Sequence, residues 1–140
     1  AVHQTTLYPN VQNALTALQK DGWALAICTN KPVAPTRAVL AHFGMLQMFP
    51  VIFGGDSLPT RKPDPAPLLA TIAALGNLPA LFVGDSEVDA ETAHRAATPF
   101  ALYTEGYRKT AVADLPHHAA FDDFAALPDT AAAWWSRRNP

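Results

Sequence analysis

The sequence predicts an α/β fold with a mainly parallel sheet, because short apolar runs alternate with longer stretches of helical periodicity. The apolar runs occupy residues 23–28, 51–53, 80–83 and 99–103. Those at 23–28 and 80–83 are typical of strands that are buried on both faces. The stretches between them repeat their apolar residues at helical spacing. Strands that alternate with helices favour parallel pairing, with the helices flanking the sheet.

The first helix is predicted after Pro9 and ends at Asp21-Gly22; its apolar side consists of Val11, Ala14, Leu15 and Leu18. The strand at residues 23–28 comes next, bounded by Gly22 and by the polar pair Thr29-Asn30. Thr29 is therefore predicted at the carboxyl end of this strand.

The second helix is predicted to start near Pro35 and to close at Gly44, before the short strand 51–53 and a turn at Gly54-Gly55. Pro65 and Pro67 suit the opening of a third helix, because first-turn residues need no amide donor. Its apolar side consists of Leu68, Leu69, Ile72 and Leu75. Lys62 would lie just ahead of this helix.

The strand at 80–83 would place Asp85 at its carboxyl end. The helix after it is rich in small residues that allow close packing on the sheet, namely Ala90, Ala93, Ala96 and Ala97. A further strand is predicted at 99–103. The C-terminal part carries Phe121, Phe124, Leu127, Trp134 and Trp135 among alanines, and the two tryptophans are expected to cover the core or a partner surface.

Length and composition favour one domain, over residues 1–140, with a small molecule as its partner. Hydrophobic residues make up 49%, charged residues 16%, and the formal net charge is −2. This balance favours neither a basic nucleic-acid face nor a disordered acidic tail. No apolar stretch approaches the roughly 20 residues of a membrane span, so we expect a cytoplasmic protein that does not bind membranes. The single cysteine, Cys28, excludes an internal disulfide and is expected to be a buried, inert thiol.

Polar residues at the ends of the predicted strands are the candidates for chemistry. Ligands of open parallel sheets bind beyond the carboxyl ends of the strands, where Thr29, Lys62 and Asp85 are predicted to converge. Thr29 and the amide of Asn30 would bind phosphoryl oxygens, and Lys62 would neutralise charge in phosphoryl transfer. A turn or cap at Thr29-Asn30, and a solvated helix entry at residues 62–65, are the structural alternatives.

Asp85 and Asp89 are the candidate ligands of Mg²⁺, which takes one or two protein carboxylates and completes its shell with water and substrate. Asp89, four residues after Asp85, would bind the cation directly or orient its shell. An ordinary capped strand-to-helix turn is the alternative. The occurrence of all these residues together and in this order favours function.

Three motifs in this order resemble the haloacid dehalogenase-like hydrolases, and among them the phosphoglycolate phosphatases. They are residues 27–32 (ICTNKP), 61–65 (RKPDP) and 83–89 (VGDSEVD). By this resemblance Thr29 occupies the family's second motif, Lys62 the third, and Asp85 with Asp89 the fourth. The resemblance implies a Rossmann-like core and a Mg²⁺-dependent phosphatase acting on a small phosphorylated metabolite, with Thr29 and Lys62 in catalysis. It extends from Leu7-Tyr8-Pro9 through Gly106-Tyr107 to residues 121–124.

The sequence departs from the family at one point. Family members carry an aspartate nucleophile in an Asp-x-Asp motif on a central first strand, followed by a helical cap that selects substrate. Here that motif is not found, and neither Asp56 nor Asp64 fits it. We therefore expect the C-terminal portion of a longer phosphatase, with a gap between the strands before Thr29 and Asp85 and a sheet edge open to self-association.

Two other functions remain as alternatives. The first is a catalytically inactive relic that binds anions and metal or serves as an interaction module. The second is an unrelated nucleotide-binding α/β domain, which ranks last because no glycine-rich phosphate loop follows a predicted strand.

Overall fold

The computed structural model describes residues 7–106 and 108–139, in which α-helices and strands alternate except that no α-helix separates the last two strands. The strands are β1 (Ala26–Cys28), β2 (Val51–Phe53), β3 (Phe82–Gly84), β4 (Phe100–Tyr103) and β5 (Ala119–Phe121). The helices are α1 (Val11–Lys20), α2 (Val33–His42), α3 (Ala66–Ala74), α4 (Glu87–Arg95) and α5 (Leu127–Arg138). Within these residues, no helix has the length and apolar character that crossing a membrane requires.

The parallel strands form two separate pieces of sheet. β1 pairs with β2, with Ala26 opposite Val51. The second piece has the order β3-β4-β5, with Phe82 opposite Phe100 and Ala101 opposite Ala119. The predicted α/β class and parallel pairing are confirmed. In the described part of the chain, the sheet is interrupted between the strand before Thr29 and the strand before Asp85, as expected.

β4 is the most buried strand, because helices cover both of its faces. Ala101 and Tyr103 belong to a hydrophobic cluster that also includes residues of α1, β5 and α5. The other members of this cluster are Ala14, Leu18, Phe121, Leu127 and Ala131. Phe100 and Leu102 pack on the opposite side against Ala90, Ala93 and Leu115. Ala90 and Ala93 are the small α4 residues that were predicted to allow close approach to the sheet. A third cluster consists of Leu40, Met45, Met48 and Phe49, beside α2.

The strands before Thr29 and Asp85 are shorter and less buried than predicted. Residues 23–25 lie outside β1, and β3 spans Phe82–Gly84 instead of the predicted 80–83. All residues of β1 and β3 are only partly buried. The prediction of burial on both faces was wrong for these two strands, because each is paired along one edge and borders a groove on the other.

Several helix details also differ from the prediction. α2 begins at Val33 rather than near Pro35, and the Val33 amide donates to Asp56 Oδ1 at 2.9 Å. On α3, Leu69 is 47% exposed, while Thr71 is buried and its hydroxyl donates to the Pro67 carbonyl at 2.7 Å. Buried polar residues are tolerated when hydrogen-bonded, which explains why the apolar side of α3 includes a threonine.

β5 and α5 were not predicted as elements, although their apolar residues were noted. Trp134 is buried and Trp135 is 41% exposed. Their rings lie 6.1 and 6.2 Å from the ring of Trp23. Trp134 thus covers the core, in agreement with the prediction, and Trp135 lines a surface groove.

Candidate active site

A groove of about 640 Å³ lies between the two pieces of sheet, and Asn30 is the one predicted site residue that does not line it. β1 and β3 both contribute to its lining. Thr29, Lys62, Asp85 and Asp89 line it as well. A second groove, of about 760 Å³, is lined mainly by apolar residues of the segments 23–28, 68–82 and 132–135. The two grooves share Trp23, Ala24, Ala26, Cys28, Leu81 and Phe82, so both open onto the gap between β1 and β3.

Thr29 continues the β1–β2 ladder by one bond, because its amide donates to the Phe53 carbonyl at 3.0 Å. Its hydroxyl accepts a hydrogen bond from the Lys31 amide at 3.1 Å. Since a hydroxyl both accepts and donates, the proton of Thr29 remains available to a phosphoryl oxygen. Thr29 is therefore part of a turn, which was its structural alternative, and it also lines the groove.

The Asn30 side chain joins two loops through a pair of hydrogen bonds, called the Asn30 clamp below. Its Nδ2 donates to the Lys62 carbonyl, its Oδ1 accepts from the Lys62 amide, and both bonds are 2.9 Å. Asn30 thereby fixes the backbone that carries Lys62. Sequence reasoning assigned only the Asn30 amide to phosphate binding and missed this use of the side chain.

The loop after β2 presses against the loop that carries Thr29 and Asn30. A Cβ at Gly54 would lie 2.7 Å from both the Lys31 carbonyl oxygen and the Val33 amide nitrogen. The Gly55 amide donates to the Lys31 carbonyl at 2.9 Å. Glycine is required here because the two backbones approach closely.

Lys62 and Asp89 form an ion pair across the groove, with Nζ 2.6 Å from Oδ1. Only 10% of the Lys62 side chain and 12% of the Asp89 side chain are exposed. The ammonium also lies 5.5 Å from the centre of the Phe82 ring. Lysine has three N–H donors, so the contact with Asp89 leaves donors for a phosphate.

Asp89 holds its neighbours in place with both carboxylate oxygens. While Oδ1 binds Lys62, Oδ2 accepts from the Asp85 amide at 3.2 Å. The Asp89 amide in turn donates to the hydroxyl of Ser86, the N-cap of α4, at 3.2 Å. These contacts are those of an orienting residue, but each carboxylate oxygen keeps a second lone pair, so both roles that the sequence left open for Asp89 stay predictions.

Asp85 is held by a residue that sequence reasoning did not assign to the site. The Tyr8 hydroxyl donates to Asp85 Oδ2 at 2.7 Å. This hydrogen bond, together with burial and the nearby negative charge, raises the pKa of Tyr8 to about 12. A Cβ at Gly106 would collide with the Asp85 side chain. Tyr8 lies 77 residues from Asp85 in the sequence, so no local motif could have identified it.

The donor set fits a hard divalent cation that keeps several waters. Oδ1 of Asp85 has no hydrogen-bond partner within residues 7–106 and 108–139. In these ranges no three His, Cys, Asp or Glu side chains cluster closely enough to hold a metal by themselves. Mg²⁺ needs no such cluster, since one or two carboxylates with water and substrate oxygens complete its shell. Asp85 would therefore be the direct protein ligand.

The other candidates have structural roles. Asp56 binds the first amide of α2, and Asp64 Oδ1 accepts from the Ala66 amide at the start of α3 at 2.8 Å. Cys28 is only partly buried rather than buried, because it borders the gap. Burial still raises the pKa of its thiol, which favours the neutral, unreactive form.

Comparison with known proteins identifies similar chains. The family model described as haloacid dehalogenase-like hydrolase matches residues 1–103. A phosphoglycolate phosphatase of Cereibacter sphaeroides is 54% identical over 125 residues, which is 89% of this chain and 57% of the relative. One from Rhodobacter capsulatus is 50% identical over 136 residues, 96% of this chain and 62% of the relative.

A solved structure has the same fold. The crystal structure of a predicted phosphoglycolate phosphatase from Haemophilus somnus superposes with a TM-score of 0.83 at 39% sequence identity. The match covers 89% of this chain and 56% of that chain. The chain thus spans little more than half the length of the relatives that it matches.

Proposed function

The chain belongs to the haloacid dehalogenase-like hydrolase family, and we propose that it carries the phosphate- and metal-binding part of a Mg²⁺-dependent phosphomonoester hydrolase of the phosphoglycolate phosphatase type. The observation that carries the proposal is the convergence of Thr29, Lys62 and Asp85, from three separate loops, on one groove. The substrate would be a small phosphorylated metabolite in the cytoplasm.

The phosphate would bind between Thr29 and Lys62. The Thr29 hydroxyl has a proton to donate, and the Lys62 ammonium is held in place by Asp89 and by the clamped backbone at Asn30. A fixed positive charge that is largely shielded from water stabilises the charge of a transferring phosphoryl group better than a mobile surface lysine does. Support for this assignment thus comes from how firmly Lys62 is positioned.

The cation would bind at Asp85. Bound Mg²⁺ supplies positive charge that neutralises phosphate oxygens during transfer. Asp85 offers its Oδ1, which accepts no hydrogen bond from residues 7–106 and 108–139, and Asp89 holds the Asp85 backbone. Asp89 also places a negative charge beside the Lys62 ammonium, which lowers the cost of bringing a cation near that ammonium.

The nucleophile would come from a strand placed between β1 and β3. The family resemblance implies an aspartate on such a strand. β1 and β3 each pair along one edge, and both line the groove. An inserted parallel strand would satisfy the backbone groups of both edges. Its carboxyl end would then lie beside Thr29 and Asp85.

A chimera tests this function directly. The N-terminal segment of the Cereibacter sphaeroides relative, fused ahead of this chain, would be assayed with p-nitrophenyl phosphate with and without Mg²⁺. We expect Mg²⁺-dependent turnover that Asp85→Asn abolishes. Asp122→Asn is the matched control, because Asp122 is exposed and outside the groove. Turnover that survives Asp85→Asn would contradict the proposal.

The proposed phosphate binding is tested separately, by titration of inorganic phosphate into the chain. Lys62→Ala should weaken binding, whereas Lys20→Ala, at the exposed end of α1, should leave it unchanged. Equal phosphate affinity in both variants would remove Lys62 from the site.

One observation favours the alternative of an inactive binding relic or interaction module. The open edges of β1 and β3 present backbone groups that a second copy of the chain can pair with. Sedimentation of the chain over a range of concentrations measures such self-association. A concentration-dependent dimer, together with a folded chimera that binds Mg²⁺ and phosphate without turnover, would favour this alternative.

A further inference from the structure

Tyr8 is fixed so that its hydroxyl meets Asp85. Its ring packs against Tyr103, with ring centres 4.6 Å apart, and against Phe124, with ring centres 6.0 Å apart and planes inclined by 14°. Tyr103 and Phe124 themselves pack at 4.6 Å. Two aromatic neighbours therefore define the direction in which the hydroxyl points.

The contact with Tyr8 distinguishes the two oxygens of Asp85. The phenol is protonated at neutral pH, so it is the donor and Oδ2 is the acceptor of the 2.7 Å bond. The terminal torsion of an aspartate side chain is otherwise broad, and either oxygen could face the groove. Tyr8 is 41% exposed, but its ring packs on Tyr103 and Phe124, and a strong hydrogen bond from a ring held in this way favours a single orientation of the carboxylate.

Asp85 is held on its other sides as well. Its amide donates to Asp89 Oδ2 at 3.2 Å, which fixes the backbone. The Cα of Gly106 lies so close that even a methyl group there would collide with the Asp85 side chain. Backbone and packing thus restrict where the carboxyl group lies, and the remaining freedom is its rotation.

We propose that Tyr8 is a positioning residue that fixes the rotation of the Asp85 carboxylate, so that Oδ2 is occupied and Oδ1 is presented to the cation. The inference rests on the proposed role of Asp85 as the Mg²⁺ ligand. Hydrogen-bond partners of metal-binding carboxylates orient the ligand, and their loss typically weakens metal binding. Tyr8 would act only through Asp85, without touching substrate or metal.

The test is a calorimetric titration of Mg²⁺ into the chain and its variants. Tyr8→Phe removes the hydroxyl and keeps the stacked ring. Tyr103→Phe is the matched control, because it removes the same atom from the adjacent ring, and no described hydrogen bond joins Tyr103 to Asp85. We expect Tyr8→Phe to weaken Mg²⁺ binding by roughly 10-fold. Tyr103→Phe should bind like the wild type.

A second variant separates positioning from stability. Tyr8→Leu lacks both the hydroxyl and the stacked ring, so we expect the same loss of Mg²⁺ affinity as in Tyr8→Phe but a lower melting temperature. If Mg²⁺ affinity falls only in Tyr8→Leu, together with the melting temperature, and not in Tyr8→Phe, the inference is overturned.

Asp85→Asn distinguishes failure of the inference from failure of the proposed metal site. Loss of binding in Asp85→Asn, with unchanged or tighter binding in Tyr8→Phe, would overturn the role of Tyr8 and leave Asp85 as the ligand. Unchanged binding in Asp85→Asn, or no Mg²⁺ binding by the wild type, would overturn both.

Discussion

Replacement of Lys62 by methionine should destabilise the fold by about 3 kcal/mol, because it leaves the Asp89 carboxylate charged and nearly buried. The two side chains are 10% and 12% exposed, and Nζ lies 2.6 Å from Oδ1. Exposed ion pairs contribute about 0–1 kcal/mol, whereas breaking a buried pair costs about 3–5 kcal/mol. The lower end applies here, since Asp89 keeps its bond from the Asp85 amide and some contact with water. Methionine preserves the apolar stem beside Phe82.

A double-mutant cycle isolates the ion pair from these other effects. Asp89→Asn removes the charge, and the amide oxygen can still accept from the Asp85 amide. The double variant has neither charge, so its destabilisation should be smaller than the sum of the two single variants, with a coupling of about 2 kcal/mol. Urea unfolding followed by tryptophan fluorescence gives the four free energies of unfolding.

Arg95 and Glu91 provide an internal control for this cycle. They form an ion pair of 2.9 Å on the surface of α4, with side chains 51% and 49% exposed. Their coupling should be about 0.3–0.5 kcal/mol, as for other exposed pairs one helical turn apart. A Lys62–Asp89 coupling no larger than that of Arg95–Glu91 would refute the claim that burial makes the groove pair strong.

Three further outcomes follow from the geometry of the site. Gly106→Ala should lower the free energy of unfolding by about 1–3 kcal/mol and weaken Mg²⁺ binding, because the added methyl group meets the Asp85 side chain; urea unfolding with unchanged stability would contradict this. Since the pKa of Tyr8 is raised from 10.0 to about 12, its stabilising contribution is complete below pH 10 and is lost as the pH rises toward 12. The stability of the wild type should therefore fall more steeply over this pH window than that of Tyr8→Phe, and parallel curves would reject the assignment. Burial raises the pKa of the Cys28 thiol, so iodoacetamide should alkylate the folded chain more slowly than the urea-unfolded chain at pH 8, whereas equal rates would indicate an accessible thiolate.

Elements with complete local signals were predictable from the sequence. α1 lies between Pro9 and Gly22, and β2 is a short apolar run before two glycines; both were predicted within a residue of their observed bounds. β1 was predicted too long and β3 was misplaced, because the extent of both strands depends on pairing. β1 has partners only at Val51–Phe53, so residues 23–25 stay outside the ladder although they are apolar. β5 and α5 lack a local pattern and are stabilised by contacts with β4 and α1.

The candidate site likewise combines residues that local sequence signals predict with contacts that depend on the fold. Thr29, Lys62 and Asp85 could be found because each follows or precedes an element whose end is visible in the sequence. The Asn30 clamp, the Lys62–Asp89 pair and the contact of Tyr8 with Asp85 join residues 32, 27 and 77 positions apart. Such contacts depend on which loops the fold brings together, and a single sequence contains no local signal for them.

The polar residues of the site also connect the two pieces of sheet. Lys62 follows β2, in the first piece, and its partner Asp89 lies on α4, which packs on β3 and β4 of the second. In the described residues no strand hydrogen bond joins the pieces; this buried ion pair and the apolar contacts of α1, Trp23 and Leu25 are among the contacts that join them. The distance between the proposed phosphate-binding lysine and the proposed metal ligand Asp85 therefore depends on Asp89. Any change that weakens the ion pair should disturb both halves of the site together, because the same carboxylate positions Lys62 and the backbone of Asp85.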